Sequence, residues 1–446
     1  MSTPATPGPQ PTPSEPTPSQ PTPSQPTPSP VWRDGQFLRY LIARGLSGAG
    51  TIITLIALPI LVYRLTDSPS LTATVAGLEA APYLCFGLLA GALTDRWNRR
   101  RTMVAADLAS ALVVATLPLA HFLGELTIPH VFAVAFVVPS IGVFFDGASF
   151  GALPTLVGRG RIAEANSLAW GVQSGNDIIV PSLVGIALAA LHPATLMILD
   201  AVSFLISAAL LATITRPMYD ASRVIARLSP AQLGREIAEG VRFLWRHRGV
   251  RTMTMIGTLQ CVSGGGFVAL LIVWIDRQLG LGTEGWRFGI VYGSWAVGGI
   301  VASILLPRLL RRHTAARIAL LALPPSALLG LLIPWVTTWW LAGITLAVWA
   351  IAYVMIFINS VSYRQEVTPE HLLGRVNTVG RMLSWGIGWT GGAFLAGSVV
   401  GTIGLRPTLV AFAAVGLLSV LVGWTSPLRA YAAGPARPQP VVDAPH

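Results

Sequence analysis

The sequence predicts an all-α integral membrane protein, with twelve transmembrane helices in two six-helix halves and both termini cytoplasmic. Three observations lead there. The 446 residues are 53% hydrophobic and only 11% charged, where soluble domains carry about 25% charge. Apolar runs of the length that crosses a bilayer, roughly 20 residues, recur from residue 37 to residue 425. The basic residues, all of them Arg, are distributed with a strong bias to one set of loops.

Residues 1–32 come first as a Pro/Thr/Ser repeat with too little apolar content to bury, and are expected to be a disordered or polyproline tail. The expected spans follow at 37–64, 71–93, 102–123, 128–152, 165–190, 194–215, 252–276, 286–307, 314–335, 339–361, 375–400 and 406–425. Gly and Pro are frequent inside them, as lipid-embedded helices tolerate. Spans one to six make the first half, 33–215, and spans seven to twelve the second, 252–426. Between them lies a linker, 216–251. There Ser229-Pro230 signals a helix start, and Leu233, Ile237, Val241 and Leu244 recur at helical spacing. This predicts an amphipathic helix on the membrane surface. Residues 427–446 form a second tail, expected to be disordered. With a cytoplasmic N-terminus, twenty-four of the thirty Arg fall inside, Arg364 among them as a loop residue. Four fall outside (Arg64, Arg277, Arg287, Arg406) and two lie within spans, Arg44 and Arg381. That asymmetry sets the orientation.

Composition excludes several functions. Without Lys there is no Walker A loop, Schiff-base or Ser-x-x-Lys chemistry. No Cys/His spacing suits a metal, no cofactor is expected, and no enzyme constellation is present. The net charge of +11 reads as loop Arg facing membrane lipid rather than as a nucleic-acid surface. Cys85 and Cys261 both fall in apolar runs and read as buried small hydrophobes.

IAEANS at 162–167 and LGRVNT at 373–378 align at an offset of 211 residues, which also superimposes Arg100 and Arg101 on Arg311 and Arg312. Six-span repeats of this kind are a recurring design of secondary transporters. Charges within spans cost a few kcal/mol each, about 2.5–3.5 on insertion scales, so each needs a reason. They are Arg44, Glu79, Asp107, Asp146, Asp177, Asp200 and Arg381. Arg44, Asp107 and Asp146 lie within about 12 Å of the inner surface by helix rise and could neutralise one another. Glu79 lies about 12 Å from the outer surface, and Asp177 near mid-membrane.

The stretch GALTDRWNRRRT, with Gly91, Asp95, Arg96, Asn98, Arg99 and Arg100, resembles the loop signature of the major facilitator superfamily, with Asn98 in place of the usual Gly. Asn also accepts a left-handed backbone, so the turn is expected to survive. LIARGLSGAG, ALPTLVGRGRIAEANSL, LDAVSFLISA, GVRFLWRHRGVR and TPEHLLGRVNT resemble more narrowly the drug–proton antiporter branch that holds macrolide efflux pumps and the enterobactin exporter. The resemblance covers residues 35–425. It implies an inner gate formed by Asp95 and the start of span eleven near Arg375, with Gly91 allowing close helix approach. It implies that spans one, four, seven and ten line the cavity, while two, five, eight and eleven join the halves. Glu79 and Asp177 are then the first candidate proton carriers, and Asp146 and Arg44 are further proton-coupling candidates on cavity spans or a structural pair. Asp107 and Asp200, on peripheral spans, read as structural. Gly175, Pro181 and Gly185 form a weakened antiporter motif, Val180 replacing a glycine. In the second half Gln260, Phe267, Trp349, Tyr353, Asn359 and Arg381 are substrate-cavity candidates. The expected function is proton-coupled export of amphiphilic small molecules (drug, macrolide or siderophore-like) by a monomer in the plasma (inner) membrane. Import of a metabolite, or a non-transporting receptor on the same fold, are the alternatives.

Overall fold

The computed structural model describes residues 30–94, 96–158, 161–188, 190–218 and 230–429. All regular structure in them is helical. The first half contains α1 (Gly35–Thr66), α2 (Pro69–Thr94), α3 (Arg99–Leu123), α4 (Ile128–Val157), α5 (Ile162–Ala187) and α6 (Pro193–Ala212). The linker helix α7 (Pro230–Arg246) follows. The second half contains α8 (Arg248–Ala269), α9 (Leu271–Arg277), α10 (Trp286–Leu310), α11 (Ala315–Leu332), α12 (Trp339–Val367), α13 (Glu370–Arg381), α14 (Gly391–Ile403) and α15 (Leu405–Thr425).

The helix ends follow local chemistry. Asp34 starts α1 by accepting hydrogen bonds from the Gln36 and Phe37 amides, which are among the unpaired donors of a first turn. Asn98 starts α3, its side chain accepting from the Arg101 amide at 3.1 Å. Its backbone is extended, with φ −67°, so the expected left-handed turn is replaced by an N-cap, for which Asn is equally suited. Gly124, at φ 74°, closes α3.

Nine helices among the described residues are long and apolar enough to cross a membrane, or ten if α8 and α9, bent by 46°, are one span. Helices α2 and α5, of 26 residues each, cover the two other expected segments. The span expected at 375–400 is present over Arg375–Ile403, with a π-helical stretch, Met382–Thr390, between α13 and α14. One position is corrected. Arg364 is not in a loop, because α12 runs on to Val367 and buries it.

Within the first half α6 packs on α1 and α3, and α4 on α2; within the second, α12 packs on α10 and α11, and α15 and α14 on α8. The halves meet through α5 on α10 and through α2 on α14 and the π segment. At the first seam Gly185 faces Gly289 so closely that an added Cβ would stand 2.4 Å from the Gly289 Cα. At the second, a Cβ on Gly386 would meet Leu84 at 2.8 Å. The linker helix is amphipathic as expected and packs on α13 and α8. It buries Leu244 and seats Gly240 on the Arg375 backbone, leaving Arg242, Arg246 and Trp245 exposed. Val241, expected on its apolar face, is exposed as well.

Candidate functional site

Three of the expected intramembrane charges come together near the end of the bundle where α7 lies. Arg44 on α1 pairs with Asp146 on α4 at 3.6 Å and donates to Ser149, whose hydroxyl also meets Tyr40 at 2.7 Å. Tyr83 on α2 donates to Asp146 at 3.2 Å, and Arg381 at the end of α13 stands within the electrostatic reach of Tyr83. The cluster therefore joins both halves. It stays open: Asp146 and Tyr83 are more than a third exposed, and Arg381 is exposed. Beside Arg381, in the π stretch, Trp385 is 41% exposed, stacked on Trp389 and edge-on to Phe357. Tyr83, Trp385, Trp389 and Phe357 had no sequence signal beyond being aromatic residues in spans.

Asp107 is not part of this cluster. It turns to Ser47 on α1. Glu79 is buried with one carboxylate oxygen unpartnered and faces Tyr292 of α10 across the halves. Asp177 is exposed and accepts from Gln173 one turn away at 2.9 Å. At 100° per residue it lies on the side of α5 opposite the exposed apolar Ile179, Leu183 and Ile186.

The other second-half candidates are packed. Gln260 donates to Ser419 at 2.8 Å and is buried with Ser326. Phe267, Trp349 and Tyr353 form an aromatic cluster with Trp295, and Asn359 donates to the Met355 carbonyl. All five are at most 5% exposed. In the antiporter-like motif only Gly185 has a close neighbour; Gly175 has open space, and α5 runs through the buried Pro181. Cys261 is buried as expected, but Cys85 is exposed.

Asp95 lies outside the described residues, and Gly91 falls in the last turn of α2. The Arg of the motif tie the first half together: Arg99 donates to the Gly151 carbonyl at 2.6 Å, and Arg100 to the Ile214 carbonyl. Such donors stabilise carbonyls near helix C-termini. Arg96 lines a groove of about 670 Å³ with Trp97 and Phe144. Arg375 pairs with Glu239 of α7.

At the opposite end of the bundle, α1 is tied to the second half. Tyr63 donates to Asp276 at 2.5 Å, Arg64 to Thr283 at 2.8 Å, and Arg277 pairs with Asp67 at 3.0 Å. The Arg277 guanidinium holds the Asp67 carboxyl below the usual aspartate range. A lowered value keeps this link intact at neutral pH, and it is lost only as pH falls through that depressed value.

Long apolar helices in two groups that meet across a polar cluster, with further ties between them at the far end, have the architecture of a major facilitator-type transporter. A family model described as a transmembrane secretion effector matches residues 27–445, and the chain belongs to that family of membrane transporters, which are not enzymes. The multidrug efflux pump Tap of Mycolicibacterium fortuitum is 28% identical over 398 residues, covering 87% of this chain and 94% of the pump. Macrolide efflux protein A of Streptococcus pyogenes is 26% identical over 219 residues, covering 47% of this chain and 53% of that protein. Among solved structures, the nucleoside transporter NupG superimposes with a TM-score of 0.67 at 13% identity, covering 87% of this chain and 99% of the other, a likeness of fold.

Proposed function

We propose that the chain exports amphiphilic small molecules, drugs among them, from the cytoplasm by proton-coupled alternating access. In this reading twelve spans place both termini and α7 on the cytoplasmic side, and the protein works as a monomer in the plasma membrane. The observation that carries it is the Arg44–Asp146–Tyr83–Arg381 cluster, in which charged and polar side chains of both halves meet and stay partly exposed. At the other end Tyr63, Arg64 and Arg277 tie α1 to the second half.

Exposed aromatics beside groups of both charges suit ligands with a bulky apolar body and a polar edge. Trp385 and Phe357 are assigned as the apolar wall, and the packed Phe267, Trp349 and Tyr353 as its backing. Glu79, buried between the halves, and Asp177 are assigned as proton carriers. A carboxylate without a cation in a low-dielectric seam is costly until protonated. Asp95 with Arg375 is retained as the inner latch, with α7 steadying Arg375 through Glu239. The multidrug and macrolide pumps among the relatives support export over import.

The test is accumulation of ethidium and of a macrolide in efflux-deficient cells expressing the chain. Lower accumulation than in vector controls, restored by a protonophore, is expected. Equal accumulation of both compounds would contradict the reading.

A further inference from the structure

The seam between α1, α3 and α6 holds two more acids that the cluster above does not use. Asp107 is 1% exposed and Asp200 is fully buried. Ser47 donates to Asp107 Oδ1 at 3.2 Å, Thr54 to Asp200 Oδ2, and Ser203 to Asp200 Oδ1 at 3.4 Å. The acids interact electrostatically. Helix α1 is notched to receive them: a Cβ on Gly50 would stand 2.2 Å from Asp200 Oδ1 and 2.0 Å from Ser203 Oγ.

The groups that reach the two carboxyls are neutral hydroxyls, Ser207 beside Asp107 included, and Asp107 Oδ2 is shut off from solvent. A carboxylate buried without a cation is costly until it is protonated. The charged groups on the packed helices do not supply that cation. Arg44, one turn from Ser47 on α1, is held by Asp146 and Ser149 of α4. Tyr40 bonds Ser149. No basic side chain makes an ion pair with Asp107 or Asp200 among the described residues.

We propose that Asp107 and Asp200 form a proton-binding pair within the first half, separate from Glu79 and from the Arg44–Asp146 cluster. A proton on Asp107 Oδ2 removes the uncompensated buried charge and leaves Oδ1 accepting from Ser47. The second proton shares the Asp200 carboxyl with Thr54 and Ser203, and the two come off in coupled steps. Each step is a carboxylic acid giving its proton to water and becoming a carboxylate. Arg44 is a quarter exposed, so water reaches within one helical turn of Ser47. Helix α1 carries Ser47 and Thr54 along with Arg44 at one end and Tyr63 and Arg64 at the other, so the charge state of the pair acts on the helix that joins the cluster to the far-end ties. The proposal deepens the proton-coupled reading, and its test reads protonation whether or not any drug is exported.

The test is infrared difference spectroscopy of the purified full chain in lipid nanodiscs, titrated from about pH 5 to about pH 9. Wild type is expected to show a carboxylic-acid band that titrates. Asp107→Asn and Asp200→Asn are each expected to lose part of it, and Ser47→Ala to move the Asp107 part in frequency. Identical bands in wild type and both Asn variants, or a band unchanged across the range, would overturn the proposal. Loss of the band on adding sodium at fixed pH would make the occupant a metal ion and overturn it too. Should the Asn variants fail to fold, Ser47→Ala and Thr54→Val retain both acids; an unmoved titration in both rejects the pair. A titrating band in a chain that moves no drug would sink the export reading and leave this site standing.

Discussion

Arg44 and Asp146 illustrate why charge inside a span is the most legible signal in such a chain. Each ion alone is costly in a membrane, so the sequence already asks for a partner, and the structure supplies it at 3.6 Å. Removing one partner leaves the other unpaired, and hydrogen bonds to charged groups are worth about 1.5–3 kcal/mol. Arg44→Ala and Asp146→Asn are therefore each expected to reduce drug efflux by about tenfold or more while the protein still reaches the membrane, measured as dye efflux normalised to the amount of protein. Glu79→Gln keeps the shape of its site and removes the titratable group. It is expected to leave drug binding within about twofold, since no ion pair is lost, and to abolish uphill export; binding and export assays on one preparation separate the two. The aromatic choices were not legible in the same way. Trp349 and Trp385 are alike in sequence, yet one is packed and the other 41% exposed. Helices that are apolar all round carry no stripe that tells the core face from the ligand face.

At the scale of elements, hydropathy located the helices because lipid imposes their length. It missed the interruption of the segment at 375–400, because a π stretch needs no special residue type and is recognised only by its hydrogen bonding. The stretch brings Trp385 and Trp389 beside Arg381, as such bulges often do at functional sites. The contact of α5 with α10 rests on Gly185 and Gly289, whose backbones touch. Gly185→Leu is expected to cost about 1–3 kcal/mol of packing and to prop the two helices apart. Accessibility of a cysteine placed at Val291, a fully buried residue of α10, should rise in that variant, and unchanged labelling would show that the seam tolerates the bulk.

For the whole molecule, the 211-residue offset is what the sequence offers toward two repeated groups of helices. What it could not contain is the set of ties between those groups, because they depend on pairs such as Arg64–Thr283 and Tyr63–Asp276, more than 200 residues apart in sequence. Cysteines in place of Arg64 and Thr283, joined by a short reducible thiol cross-linker, should hold the halves together at that end. Export should then stop on cross-linking and recover on reduction.

Coupling of drug export to protons can be measured in everted vesicles containing the chain and energised to be acid inside. Adding a macrolide or a cationic dye should release protons from the lumen in wild type, with the release lost in Glu79→Gln. Drug accumulating in the vesicles without any movement of protons would contradict the account.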